Sequence, residues 1–452
     1  MDGTGREKPT LLEWVLDVVK GAGASAAEVM LAEGEALAAG VRLGNVEKLK
    51  SSSESRLGLR VFSGQASASA STAEFGRAEL AKFAAETVAL AKVTGADPWS
   101  GLPEPGLHPQ HPMELDLVDR EHGLVAAERA LEMARRAEKA ALDADARIKN
   151  SEGAEFESSR ATVWFANSQG FFGEYSTTSY GLSVAPIADS GEGMQQGYWY
   201  TAGRKFEKLQ EPEAVGIKAA HRALRRLGAR KIDTCRAPVV FDPETAASLL
   251  RTLAAAASGP ALYKGASYLV GRLGEQVAGP AVNVIDDPTM VSGLGSRPFD
   301  GEGVAVRRKY LVEKGKLETY LLDSYSARKL KLQTTGNAAR SLGSAPDVSP
   351  FNLCLEPGRY DPEQIIRSVG RGLLVTEMIG FGINLATGDY SRGASGVWIE
   401  GGELAYPVHE ITIAGNLKDM LLAIEMVGND LEWRSSTACP TVKIGEVTIG
   451  GN

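Results

Sequence analysis

The fold of this chain is decided by residues 386–451, which open with the stretch Ala386-Thr387-Gly388-Asp389-Tyr390-Ser391-Arg392-Gly393-Ala394-Ser395-Gly396. Glycine, serine and aspartate dominate this opening, and these residue types favour turns because they tolerate unusual backbone angles or hydrogen-bond to nearby backbone. The stretch therefore predicts a polar loop. Val397-Trp398-Ile399 follows directly and is apolar and β-prone, so we expect a strand to hold the loop in place.

A hairpin is predicted immediately after this loop. Gly401-Gly402 can supply the positive φ angles of a tight turn between strands at 397–399 and 404–406. Pro407 is predicted to end the second strand, because proline has no N–H to donate to the ladder. The hairpin would form a rigid frame beneath the polar loop.

A strand and a helix are predicted beyond the hairpin. Ile411 and Ile413 recur with the period of two that is typical of a half-buried strand. Asn416 can cap a helix over 417–426, because its side-chain oxygen can accept from the first free N–H groups. Gly428 is predicted to end that helix in a left-handed turn.

The rest of the chain shows strands clustered between helices. Two blocks of helix, strands and helix are predicted before residue 230, with a proline-rich linker at 96–113. In a third block, Asp242-Pro243 predicts the start of a helix over 244–257, with Asp242 as its N-cap. Strands and helices do not alternate strictly, so we expect an α+β fold of multi-stranded sheets with flanking helices. The predicted domains are residues 1–229 and residues 230–452.

Charge and composition exclude some classes of partner. The chain has 452 residues, of which 43% are hydrophobic and 23% charged, as in ordinary globular proteins, and its formal net charge is −8. That charge argues against non-specific nucleic-acid binding, which needs a basic footprint. Clusters such as Arg225-Arg226 and Arg307-Arg308-Lys309 are interpreted as solvated faces. No apolar run approaches the ~18 residues of a membrane span. We expect neither nucleic acid nor a membrane as partner.

The cysteines and the first residues indicate a compartment. Cys235, Cys354 and Cys439 are far apart and odd in number, and no CxxC pair exists. Neither a disulfide framework nor a thiolate zinc site is therefore predicted. Met1 to Thr10 is polar and charged, without the apolar core of a signal peptide. These features predict a cytoplasmic protein.

No catalytic group emerges from the residue pattern. The chain has no Gly-x-Ser-x-Gly elbow and no phosphate-binding loop. His108 and His111 are the only close pair of histidines, and we interpret their proline-rich surroundings as a solvated linker. His409 precedes a strand pattern and has no second histidine at helical spacing. We therefore predict neither catalytic residues nor a metal site in this chain.

The segment 388–396 is the one candidate binding site. Its glycine backbone, hydroxyl groups and guanidinium can hold a peptide backbone or a carboxylate. The predicted peptide-binding residues are Gly388, Asp389, Tyr390, Ser391, Arg392, Gly393 and Ser395.

Several longer motifs carry a family likeness. They are Gly388 to Gly396 as quoted above, Ile411-Thr412-Ile413-Ala414-Gly415-Asn416-Leu417, Val427-Gly428-Asn429-Asp430, Gly293-Leu294-Gly295-Ser296-Arg297-Pro298-Phe299-Asp300 and Thr334-Thr335-Gly336-Asn337. With these motifs the chain resembles the TldD/PmbA family, and specifically its PmbA (TldE) branch. The likeness covers nearly the whole chain.

The resemblance implies a zinc peptidase made of two unlike subunits. TldD-type members are zinc metallopeptidases with an HExxxH helix, and PmbA-type members pair with them. The resulting heterodimer digests unfolded peptides and matures some peptide antibiotics. Its metal chemistry needs two imidazoles on one helix face and a glutamate that activates the bound water.

This chain departs from the catalytic branch at the metal site. On the corresponding helix, 244–257, the motif positions are occupied by Leu250, Arg251 and Ala255. Leucine and alanine cannot ligate zinc, and arginine cannot act as the base. The TldD branch also draws a cysteine ligand from the loop after its Gly-Asn-Asp. Here that loop, 431–438, has no cysteine, and Cys439 begins the next strand, so the role is not transferred.

We therefore expect a non-catalytic partner subunit of a TldD-type zinc peptidase. Unfolded peptide would be the substrate, zinc would be held by the TldD-type partner, and this chain would need no cofactor. Two alternatives stay open. One is a stand-alone, homodimeric peptide- or ligand-binding protein without peptidase activity. The other is an active hydrolase with a site that the residue pattern does not show.

Overall fold

The structure, a computed structural model, describes residues 4–111, 113–191 and 193–451. It has the α+β fold that the sequence predicts. The elements before residue 230 are α1 (Thr4–Gly21), β1 (Ala26–Arg42), β2 (Asn45–Ser63), β3 (Ala66–Thr72), α2 (Arg77–Val93), α3 (Ala127–Asp143), β4 (Ile148–Asn167), β5 (Phe172–Asp189), β6 (Met194–Gln196), β7 (Trp199–Gly203), a 3-10 turn (Phe206–Lys208) and α4 (Pro212–Leu224).

The second half is richer in short strands. Its elements are β8 (Cys235–Phe241), α5 (Pro243–Ala256), α6 (Gly259–Tyr263), β9 (Val284–Asp286), β10 (Lys309–Glu313), β11 (Lys316–Leu317), α7 (Ser324–Leu330), β12 (Ala338–Ala339), β13 (Asp347–Val348), β14 (Leu353–Leu355), α8 (Pro362–Arg367), β15 (Arg371–Ile379), β16 (Asp389–Glu400), β17 (Glu403–Asn416), α9 (Leu417–Leu422), β18 (Ile424–Val427), β19 (Thr437–Ala438) and β20 (Val442–Gly450). Within the described ranges, no helix is long and apolar enough to cross a membrane.

The first seven strands form one sheet. Its order is β3-β2-β1-β4-β5-β6, and β7 also pairs with β5. β1 is antiparallel to β2 on one side and to β4 on the other, along most of its length. The two predicted blocks of helix, strands and helix therefore share one continuous sheet, joined at β1 and β4.

Helices cover this sheet in two places. α1 and α2 pack on β1 and β2, where Leu12, Leu59 and Leu80 belong to one buried cluster. α3 and α4 pack on β4 and β5, around a second buried cluster. Every second residue of β5 from Thr178 to Ala188 is buried. That alternation is typical of an antiparallel strand with one packed face.

The largest sheet of the second half closes into a ring. β17, β16, β15, β8 and β20 pair in that order, β17 also pairs with β20, and β18 lies outside on β20. Val239 and Phe241 of β8 point into the main core, whereas Val240 packs on the opposite face with Ile365 of α8. Both faces of the strand are buried at Val239-Val240-Phe241, which explains the apolar run there.

The helix α5 lies between the ring and a smaller sheet of order β11-β10-β9-β14-β19, and it contacts β15 and β19. Asp242 is its N-cap, since the carboxylate accepts from the Thr245 backbone N–H at 2.9 Å, and a proline occupies the first turn. The helix start predicted from Asp242-Pro243 is confirmed.

The helix predicted at 417–426 is too long. Asn416 does cap it, with Oδ1 accepting from the Lys418 N–H at 3.1 Å. However, α9 ends at Leu422, and Ile424–Val427 forms β18 instead, because it pairs with β20. Gly428 therefore follows a strand and does not end a helix.

The predicted strand end at Pro407 is also wrong, because β17 continues through it to Asn416. Pro407 pairs with Val397 of β16, and on its other side its carbonyl accepts only from the Arg230 N–H, at 3.1 Å. This part of β17 is an edge, where a missing N–H is tolerated.

The proline-rich segment 96–113, of which Pro112 lies outside the described residues, packs against the second half of the chain. The Arg328 guanidinium donates to the Trp99 and Gly101 carbonyls at 3.1 and 3.3 Å, and Ala305 N–H donates to the Leu107 carbonyl at 2.8 Å. The domain boundary at 229/230 stays a prediction, although the strands on its two sides belong to different sheets.

Candidate functional site

The segment 388–396 is not a loop. It lies almost entirely in β16, between β15 and β17 in the ring, and the turn before it covers 385–387. One of its glycines, Gly396, allows close packing of neighbouring strands. A Cβ on Gly396 would lie 2.0 Å from the Leu374 carbonyl oxygen of β15. The prediction of a polar loop is therefore wrong, and the physical reason is this close approach of neighbouring backbones.

Four of the predicted site residues have structural roles. Tyr390 and Ser395 are buried, and burial raises the pKa of Tyr390 to about 12. Gly388 has a φ of +87° and faces the Asn416 side chain. The Asp389 carboxylate accepts from the side chains of Thr387, at 2.6 Å, and Asn416, at 3.2 Å. These residues fasten the turn to the start of α9.

The other three predicted residues reach the surface. Ser391 is exposed, and Arg392 and Gly393 are half-buried. Arg392 Nε donates to the Gly380 carbonyl at 2.9 Å, and its Nη1 lies 3.4 Å from Ser248 Oγ on α5. Arg392 thus joins β16 to α5. Whether these residues bind peptide stays a prediction.

An exposed apolar segment lies beside Arg392. Ile379, the last residue of β15, is 54% exposed, and Phe381, in the connection from β15 to the 385–387 turn, is 98% exposed. Two such side chains next to a guanidinium give a surface that can contact both apolar and anionic groups.

The helix α5 does not fit a zinc ion. Of its positions aligned with the HExxxH motif, Leu250 is buried in the main core, and Arg251 and Ala255 are exposed. Cys439 lies on the wall of a small pocket beside α5, and burial raises its thiol pKa well above the usual value. Across the described ranges, no three His, Cys, Asp or Glu side chains are grouped to hold a metal ion.

The linker histidine is not solvated as predicted. The His108 ring stacks on Phe171 with centroids 4.5 Å apart, and its Nδ1 lies 2.8 Å from the Gly303 carbonyl oxygen. His108 therefore fastens the segment 96–113 to both halves of the chain. Both of its ring nitrogens lie within hydrogen-bonding distance of backbone or amide groups.

A cavity that the sequence interpretation missed lies beside the start of α5. It has a volume of about 310 Å³ and is bounded by α4, β7, β15 and α5. Its charged lining residues are Arg222, Arg225, Arg226, Glu244 and Glu377. The Arg225-Arg226 pair was the feature of the sequence that could have indicated this cavity. Its interpretation as a solvated face is wrong, because these side chains are only 33% and 26% exposed.

The carboxylates around this cavity lie close to arginines, although Glu377 Oε2 accepts no hydrogen bond from the described residues. Arg226 Nη2 lies 2.8 Å from a Glu377 carboxylate oxygen. Glu244 is paired with Arg434, whose buried guanidinium also pairs with Glu432 and lies 4.1 Å from the centre of the Trp199 ring. The cavity is therefore polar but is not an acidic site for a cation.

The cavity lies near the predicted binding segment. Glu377 of the cavity is paired with Ser395 of β16, and Ile379 with Gly393. On α5, Ser248, which contacts Arg392, comes one helical turn after Glu244. Arg392 and the cavity therefore lie near each other, at neighbouring positions of the β15–β16 pair and of α5.

Family comparisons agree with the motifs. Models of the PmbA/TldA metallopeptidase family match the chain in three parts: domain 1 over residues 27–91, the central domain over 122–227 and the C-terminal domain over 234–451. The chain is 39% identical over 425 residues to metalloprotease PmbA of Escherichia coli O157:H7. That match covers 94% of this chain and 92% of the relative.

Solved structures share the fold. A candidate modulator of DNA gyrase from Bacteroides thetaiotaomicron superposes with a TM-score of 0.92 at 29% identity, covering 99% of both chains. TldE from Thermococcus kodakarensis has a TM-score of 0.88 at 22% identity, over 98% of this chain and 100% of that chain, a likeness that shows the fold alone. From its motifs, its three matching domains and its identity to PmbA, this chain belongs to the PmbA/TldA (TldD/PmbA) metallopeptidase family, in the PmbA branch.

Proposed function

We propose that this chain is a non-catalytic partner subunit of a TldD-type zinc metallopeptidase that acts on unfolded peptides in the cytoplasm. The observation that carries the proposal is the composition of α5. Leucine, arginine and alanine stand where the resemblance places the two zinc-binding imidazoles and the general base. The zinc and the water that it activates would belong to the TldD-type partner.

In this proposal the chain contributes to peptide capture. Arg392 can donate to a peptide carbonyl or carboxylate, and Ile379 and Phe381 offer apolar contact to side chains of an unfolded segment. Gly388, Asp389, Tyr390 and Ser395 act indirectly, by holding β16 and its turn in place.

Co-expression with a TldD-type chain tests the partner role. We expect a stable complex at micromolar concentration that digests an unfolded peptide and loses activity when the HExxxH motif of the partner is mutated. The chain purified alone should hold no stoichiometric zinc and should cleave nothing. A homodimer that ignores the TldD-type chain would favour the stand-alone binding protein, and chelator-resistant hydrolysis by the pure chain would favour a hydrolase.

Arg392→Ala tests the capture role. We expect at least several-fold weaker peptide binding, because the variant loses the guanidinium that would donate hydrogen bonds to the peptide. The circular dichroism spectrum should not change, because Arg392 is only half-buried. Arg359→Ala is the matched control, since Arg359 is an exposed arginine that contacts the neighbouring Tyr360. Equal peptide affinity in both variants would show that Arg392 does not bind the peptide.

A further inference from the structure

One guanidinium in the cavity beside α5 lacks a hydrogen-bonded partner. Arg225 follows α4 directly, and its buried Nε has no hydrogen-bond partner among the described residues. Its nearest carboxylate oxygen is Asp242 Oδ2, at 3.7 Å, which is beyond hydrogen-bonding distance. That oxygen already accepts from Arg222 Nη1 at 3.3 Å, and Asp242 Oδ1 accepts from Thr245.

Arg225 has no carboxylate of its own within hydrogen-bonding distance among the described residues. Arg226 is paired with Glu377, so Arg222 and Arg225 share the single carboxylate of Asp242. Burial, and next the charge of Arg222, lower the pKa of Arg225 to about 10. A half-buried cation without its own counter-ion is costly, and an anionic ligand would remove that cost.

The shape and charge of the cavity select the anion. Its volume of about 310 Å³ suits a single amino-acid residue. The rings of Tyr198 and Tyr200 on its wall have centroids 5.8 Å apart and offer aromatic surface. Glu244 and Glu377 also line the cavity and would repel a doubly charged phosphate more than a single carboxylate.

The neighbouring surface identifies the source of that carboxylate. Through the pairing of β15 with β16, the cavity lies next to Ser395 and leads to Gly393 and Arg392. A peptide held at Arg392 would therefore reach the cavity within a few residues. We propose that the cavity is a carboxylate site that receives the C-terminal residue of a captured peptide, with its carboxylate on Arg225. This inference rests on the proposed peptide-capture function.

Two forms of one peptide test it. A short unstructured peptide that ends in phenylalanine is titrated as the free acid and as the C-terminal amide. We expect the acid to bind about tenfold to a hundredfold more tightly than the amide, the usual range for a charge-assisted hydrogen-bonded pair. Arg225→Met should abolish the difference, and Arg359→Met, at an exposed arginine, should keep it. Equal binding of acid and amide by the unmodified chain would overturn the inference.

The position of the carboxylate needs a second peptide. With an internal aspartate and an amidated end, this peptide should bind no more tightly than its asparagine counterpart. A preference for the internal aspartate that depends on Arg225 would overturn the assignment to the C-terminal residue.

Benzoate separates this inference from the function on which it rests. Benzoate, but not benzamide, should raise the Tm of the full chain, and Arg225→Met should remove that rise. If peptides fail to bind while benzoate still acts through Arg225, the proposed function fails and the carboxylate site stands. The opposite outcome has two parts: the unmodified chain binds the acid and amide peptides equally well, and Arg392→Ala abolishes the binding of both. In that case the capture role stands and the carboxylate site is overturned.

Discussion

Two groups of ionisable side chains join the first half of the chain to the second, and they differ in how completely they are enclosed. Glu28 of β1, Arg60 of β2, Glu302 and Arg340 form a sealed cluster, in which each side chain is at most 6% exposed. The cavity of Arg222, Arg225 and Arg226 is open, with these side chains 17 to 33% exposed.

The difference lies in what each arrangement allows. In the sealed cluster both guanidinium groups contact Glu28, and Arg60 Nη1 also lies 3.9 Å from Glu302. Removing one partner there leaves a buried charge that water cannot reach. In the open cavity, Arg225 Nε has no hydrogen-bond partner within the part of the chain that the structure describes. The sealed cluster is suited to holding two regions together, and the open cavity to receiving a ligand.

The largest expected effect is on the sealed cluster. Arg340→Leu should lower the free energy of unfolding by about 3–5 kcal/mol, because Glu28 would keep only Arg60, at 3.4 Å. Urea denaturation at constant pH measures the change. A loss of unfolding free energy below about 1 kcal/mol would mean that water replaces the guanidinium. The sealed cluster and the open cavity would then not differ in their access to water.

The second prediction concerns pH. Burial first, and then the charges of Asp300, Asp323 and Glu28, raise the pKa of Glu302 above its usual value of 4.5. The folded state therefore binds more protons than the unfolded state does. Stability is fully present below pH 4.5 and is lost as the pH rises through the raised pKa of the folded state.

Glu302→Gln isolates this contribution. Glutamine resembles the protonated carboxyl, so the variant should lose less stability than the unmodified chain between about pH 6 and about pH 9. Part of the slope should remain, because burial also raises the pKa of Asp300. Denaturation curves at both pH values test this, and an unchanged slope in the variant would show that Glu302 is charged in the fold.

The third effect, in the open cavity, should be smaller. Arg225→Met should change the free energy of unfolding by no more than about 1 kcal/mol, because it removes no side-chain hydrogen bond and relieves repulsion with Arg222. The same urea assay compares it with Arg340→Leu. A loss as large as that of the sealed cluster would mean that Arg225 holds the fold together and does not wait for a ligand.

The smallest effect should come from a solvated pair. Arg367 and Glu363 of α8 form an ion pair whose side chains are 67% and 76% exposed. Arg367→Leu should cost at most about 0.5 kcal/mol, and added salt should reduce that cost further. This variant measures how much unfolding free energy is lost when an exposed arginine is replaced, and the two arginine substitutions above are compared with it. A larger loss would point to packing of the Arg367 stem.

Features that depend only on neighbouring residues, such as helix caps, were predictable from the sequence. The caps at Asp242 and Asn416 follow from one side chain and the next few N–H groups, and both are confirmed. The strand conformation of residues 389–396 was not predictable, because glycine and serine by themselves favour turns. These residues form a strand since β15 and β17 supply partners on both sides. Tertiary pairing overrides propensity in the same way at Ile424–Val427.

The candidate site was predictable only in part. The glycine, hydroxyl and guanidinium groups of 388–396 selected the segment that contains Arg392, but the fold divides its seven predicted residues into buried supports and surface groups. The carboxylate cavity needs α4, β15 and α5 to meet, and these elements are far apart in the chain. The Arg225-Arg226 dipeptide does not by itself distinguish a solvated face from two half-buried arginines that line a cavity.

The closure of the ring by β20 has a consequence for protein synthesis. β8 is the first ring strand to leave the ribosome, and one of its two neighbours, β20, is the last. At ordinary elongation rates the edge of β8 waits on the order of ten seconds for that neighbour. During this interval the nascent chain presents an unpaired, apolar strand edge, which is a target for chaperones and for wrong pairing with other chains.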